Sequence, residues 1–152
     1  MKQIAAFINN GLQSGVYYTG LSGFDTHVRQ AETQERLLKV VGDTLLQFRN
    51  GPAKNREMEK YIGYGVFEFG RRVNRMQVTA LDHGTANQVY LLGGSLKNAG
   101  FRNEAGSLSD LDDGDLKHHM DFRNIYASVL DRFIEFDSSL VLSRKFENLD
   151  FI

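Results

Sequence analysis

The longest regular pattern in this chain is AETQERLLKVVGDTLLQFRN, residues 31–50. Leu37, Leu38, Val41, Leu45 and Phe48 recur at helical period and share one face, and Asn50-Gly51-Pro52 supplies a stop. A helix over 31–50 follows, and its apolar face needs a surface to cover it. The flanking segments suggest what that surface is. Ile4, Phe7, Ile8 and Leu12 predict an amphipathic helix over 2–13, closed by Gly15. VYYTGL, residues 16–21, reads as a strand, because β-branched and aromatic residues dominate it. YIGYGVFEFG, 61–70, predicts a second strand, and NQVYLLGG, 87–94, a buried third. DFRNIYASVLDRFIEF, 121–136, has two apolar sets at helical spacing, with Asp121 placed as N-cap. Polar loops cover 70–86 and 99–120, and the tail over 138–152 leaves room for a short strand. The order is helix, strand, helix, strand, strand, helix. That order predicts an α/β fold with a largely parallel sheet in one domain over 1–152. Ligands of such sheets bind beyond the carboxyl ends of the strands.

Charge and composition narrow the function. Lys and Arg total 18 against 19 Asp and Glu, so the net charge is −1 and the electrostatic case for nucleic-acid binding is absent. The short basic cluster Arg71, Arg72 and Arg75 reads as a solvated loop. With no cysteine, disulfides, thiol catalysis and thiolate-bound zinc are excluded, and any metal must sit on His, Asp and Glu. No apolar run approaches the ~18 residues of a membrane span, and MKQIAAFINN lacks the cleavage pattern of an export signal.

The polar residues that could carry chemistry follow or precede predicted strands. Asp25 and His27 follow the first strand, and Glu68 and Arg71 the second. Asp82 and His83 lead into the third, and His118 and His119 precede the last helix. All four histidines thus fall in loops, as a carboxylate–imidazole metal site drawn from separate loops requires. Each piece also has a plain reading. Asp25-Thr26-His27 suits a polar turn, and Asp82-His83-Gly84 a turn with Gly84 at positive φ. His118 and His119 suit exposed loop positions, and Glu68 with Arg71 a local ion pair. From the residues alone, both readings stand.

Four segments carry a resemblance. SGFDTH, FEFGRR, DHGTAN and DFRNIYASVL, in that order, resemble the bacterial domain-of-unknown-function family 1501, and the ending KFENLDFI is similar to that of Bacteroidota-type members. The family belongs to the alkaline-phosphatase-like superfamily, with the sulfatases and cofactor-independent phosphoglycerate mutases. The resemblance implies an alkaline-phosphatase-like three-layer α/β sandwich with a largely parallel sheet, here incomplete. It implies two metal ions, zinc, manganese or iron, at the carboxyl edge of the sheet. By the superfamily pattern Asp25, His27, Asp82, His83 and His118 would be ligands, with His119 next for the last place. Glu68 would orient a ligand histidine and Arg71 would meet an anionic group on the substrate. The implied activity is metal-dependent hydrolysis of sulfate or phosphate esters. The alternative is a non-catalytic module of the same fold that binds a metal or an anionic glycan, or serves a structural role.

Departures from the pattern are also legible. Phe67 stands where the family has Ser, and Leu81 where it has Thr. The Asp25–His27 spacing is shorter than that of the alkaline phosphatases, and neither Thr19 nor Ser22 matches a nucleophile motif. Members are usually exported proteins of greater length, so the chain resembles their C-terminal part, inactive by itself. An unpaired sheet edge left by missing strands would favour self-association.

Overall fold

A computed structural model describes residues 1–26, 29–51, 57–73 and 83–152. The elements in order are α1 (Lys2–Asn9), α2 (Gln30–Asn50), a 3₁₀ turn (Glu57–Lys60), β1 (Ile62–Val66), β2 (Gly70–Arg71), β3 (His83–Gly84), β4 (Val89–Gly93), β5 (Leu111–Asp112), β6 (Asp115–Leu116), α3 (Phe122–Ser128), which runs into a π-helical turn (Val129–Phe133), and α4 (Ser139–Leu142).

The expected parallel sheet is not what forms, and the three-layer sandwich implied by the resemblance is overturned with it. The described strands make three two-stranded antiparallel sheets, β1 with β4, β2 with β3 and β5 with β6. β4 folds back on β1 with Ile62 opposite Gly93 and Val66 opposite Val89. β2 and β3 pair in the same sense as a second two-stranded sheet, so the described strands between 61 and 94 make an antiparallel arm rather than a crossover unit. The first predicted strand, 16–21, is irregular chain, with Val16 and Tyr18 exposed. α1 ends at Asn9, short of the predicted end at 13. The 99–120 loop holds the β5–β6 hairpin, and the tail forms the short helix α4 instead of a strand.

Other expectations match. α2 runs to Asn50 and ends at Gly51, whose N–H donates to the Gln47 carbonyl. Asp121 caps α3 by accepting the Arg123 backbone N–H at 2.9 Å, satisfying one of the helix's unpaired donors, and pairs with the Arg123 guanidinium. The predicted helix over 121–136 begins as expected but widens at Val129, where the Ile134 N–H reaches back five residues. On that widened turn Asp131 accepts the Ser138 N–H at 2.7 Å, the Ser138 hydroxyl and the Asn148 amide.

The best-packed region is α3 with the tail. Ala127 and Ser128 are fully enclosed and Phe151 is 5% exposed. Ser128 Oγ donates to the Asn124 carbonyl and accepts the Leu149 N–H, and Asn124 reaches the Glu147 carbonyl. Tyr64 on β1 stacks against Tyr126 on α3 at 4.9 Å between centroids, which fastens the arm to the helix. Apolar burial is otherwise thin. Leu37, against Gly23, is the buried apolar residue of α2, whereas Leu38, Val40 and Leu46 stay exposed. The chain exposes 11473 Å², against about 7,800 Å² for a compact monomer of its mass. No described helix is long and apolar enough to cross a membrane.

Candidate functional site

The β2–β3 rung builds the site. Gly70 lies opposite Gly84, and Arg71 opposite His83. The two backbones approach closely there. A Cβ on Gly84 would stand 2.6 Å from the Arg71 carbonyl carbon, and one on Gly70 would overlap the Ala86 carbonyl. Glycine at both positions is what this approach requires, and Gly84 is not at the positive φ the turn reading expects. Asn87, just past β3, donates its side-chain amide to the Phe67 and Phe69 carbonyls at 2.9 and 2.8 Å. Phe69 is thereby held flat against the His83 imidazole, with centroids 3.7 Å apart and planes within 10°.

The 22–26 loop closes on this rung from the other side. Phe24 packs edge-on against Phe67 at 4.9 Å, so Phe67 serves packing rather than offering a hydroxyl. Arg71 donates to the Phe24 carbonyl at 2.9 Å and its guanidinium also lies 5.1 Å from the Phe69 ring centroid. These contacts set the Asp25 carboxylate, whose Oδ1 is 2.9 Å from His83 Nε2 and 3.6 Å from Arg71 Nη2. Asp25 and His83 are about half exposed, at 56% and 45% of their side-chain surface, while Arg71 is largely enclosed at 16%.

Of the residues expected to act together, Asp25, His83 and Arg71 therefore meet. His27, two residues after Asp25, and Asp82, next to His83, lie outside the described residues. His118 and His119 are exposed between β6 and α3, and no group of three or more His, Asp or Glu gathers in metal-binding geometry among the described residues. Glu68 is exposed, and among the described residues the carboxylate that meets a histidine is that of Asp25. Asn87 and Phe69, which hold the His83 ring, were not singled out from sequence. An Asn next to a strand start carries no local signal for a partner some twenty residues back. A cleft of about 430 Å³, lined by Asp131, Ser138, Lys145, Phe146 and Asn148 among others, lies apart from these residues.

Asp25 and His83 supply two donors of the kind a divalent ion takes. Two ligand atoms bound at ~2.1 Å and at right angles stand about 3 Å apart. Asp25 Oδ1 and His83 Nε2, which share a direct hydrogen bond at 2.9 Å, stand at the spacing of adjacent octahedral ligands, as for manganese or iron, whereas tetrahedral zinc ligands stand about 3.4 Å apart and would require the pair to separate. Arg71, beside the same carboxylate, suits an anionic group. Comparison with protein-family models, curated proteins and solved structures finds no match to this chain.

Proposed function

We propose that Asp25, His83 and Arg71 form part of a metal-dependent centre that hydrolyses a sulfate or phosphate ester. The observation that supports it most is the Asp25–His83 contact, which joins two segments 58 residues apart that the sequence resemblance pairs for this chemistry. Asp25 would hold the ion through Oδ1 and His83 through Nε2, with His27, Asp82 and His118 as the further candidates. When bound, a divalent ion supplies Lewis-acid polarisation of the ester oxygens. Phe69 fixes the plane of the imidazole, and Arg71 neutralises an anionic oxygen of the substrate.

The exposure of the pair favours a second reading, in which the centre binds a metal or an anionic glycan without turnover. Electrostatic stabilisation of a transition state depends on excluding water, and half-exposed groups are poorly shielded. Metal content of the purified chain by elemental mass spectrometry, beside the Asp25→Ala and Asp82→Ala variants, tests both. Near-stoichiometric metal that is lost in the variants, with turnover of p-nitrophenyl sulfate or phosphate, supports the hydrolase. The same metal result without turnover supports the binding module. Metal content unchanged in both variants sinks the assignment.

A further inference from the structure

We infer that the chain self-associates through α2, two copies pairing antiparallel about Gly42. α2 has one covered face, centred on Leu37, and an adjacent edge that the rest of the described chain leaves open. That edge carries Ala31, Glu35, Leu38, Gly42, Leu46 and Arg49, spaced at three- and four-residue steps. Leu38 is 45% and Leu46 51% exposed, and a Cβ at Gly42 would meet nothing within 4 Å.

The edge is self-complementary. Reversed about Gly42, Leu38 falls opposite Leu46 of a second copy, and Glu35 falls opposite Arg49. Each pairing occurs twice by the two-fold symmetry, as in an isologous dimer. Neither Glu35 nor Arg49 is ion-paired within its own chain among the described residues, whereas Lys39 and Asp43, on the flank of this edge, pair with each other at 2.7 Å. The one glycine inside α2 sits where the two backbones would cross most closely, a position where a small residue permits approach and a larger one obstructs it. An α-helix of 21 residues is about 31 Å long. The occupant that fits both the apolar and the charged positions of this edge is a second copy of the same edge.

Light scattering coupled to size exclusion tests this on the full chain. The expected mass is twice the 17.2 kDa of the chain at micromolar concentration. Leu46→Glu should lower the association constant at least tenfold, with helicity by circular dichroism unchanged. Glu35→Arg and Arg49→Glu should each weaken association, and the double variant should restore it, because the reversed charges again meet across the two-fold axis. A monomeric wild type overturns the inference. So does a dimer that Leu46→Glu leaves intact, or one in which the double charge reversal is no better than the single ones.

Discussion

Asp25 Oδ1 and His83 Nε2 lie 2.9 Å apart, although neither residue belongs to a long regular element. The contact depends on supports outside it: the Gly70–Gly84 rung, the Phe69 ring beneath the imidazole and Arg71 across the loop carbonyl.

Because both side chains are about half exposed, the direct coupling between them is modest. A double-mutant cycle with Asp25→Ala and His83→Ala, followed by urea unfolding, should give a coupling energy of about 0.2–1 kcal/mol. A coupling several times larger would mean that the pair is far less solvated than its exposure indicates.

Gly84→Ala should disturb the site more than either of those changes. Its Cβ would meet backbone atoms of Arg71 at under 3 Å, and backbone has no side chain to swing away. The expected loss of stability is about 1–3 kcal/mol, as for other overpacked positions, and on the proposed metal reading the metal content should fall with it. Chemical unfolding and metal analysis of the same preparation check both. A variant with wild-type stability would mean that the β2–β3 rung is not held together in solution.

Asp131 is the support of the C-terminal region. Its carboxylate accepts from the Ser138 N–H, the Ser138 hydroxyl and Asn148, and Ser138 is only 2% exposed. Asp131→Ala leaves these donors enclosed without an acceptor, so a cost of about 1–3 kcal/mol is expected in urea unfolding.

Acid should unfold the chain through the same kind of contact. The Ser138 N–H holds the Asp131 carboxyl below its usual range, and Arg123 holds Asp121 down at about 2. Ser139 and Lys97 likewise lower Asp137 and Asp150. A carboxyl whose folded pKa is depressed contributes stability above its unfolded value near 3.8, and that contribution disappears as pH falls through the folded value. The contribution of these carboxyls should therefore be level above about pH 4 and decline from there towards pH 2. Circular dichroism against pH should show the decline beginning at the same pH but with a shallower slope in Asp131→Asn. An identical slope would remove Asp131 from the account.

The β5–β6 hairpin turns through Asp113 and Gly114, both at positive φ (47° and 87°). Gly114→Ala should cost about 1–2 kcal/mol because a side chain disfavours that conformation. Asp113→Gly should cost little, which makes it a control for the turn. Thermal unfolding of the two variants distinguishes them.

That hairpin is legible in the sequence. Asp-Gly between Leu111-Asp112 and Asp115-Leu116 is a strong local signal for a two-residue hairpin turn, yet the segment reads as loop when judged by its polar composition. Gly70 and Gly84 are the opposite case. Nothing within either neighbourhood shows that they face each other.

Several features could be read within windows of ten to twenty residues. They include the course of α2 to Asn50, the positions of β1 and β4, the Asp121 cap and the loops that hold Asp25 and His83. These rest on periodicity, caps and stops, which are local properties of the chain. Strand direction is not local. The pattern of β1 and β4 suits parallel and antiparallel partners alike, and the backbone hydrogen bonds between Ile62–Val66 and Val89–Gly93 decided for the antiparallel ribbon. VYYTGL had the composition of a strand but no paired neighbour, so its propensity alone did not make one. The tertiary structure alone decided that Asp25 meets His83, since closing a loop of that length depends on the Phe24–Phe67 contact and the Gly70–Gly84 approach, neither visible from the residues on one side.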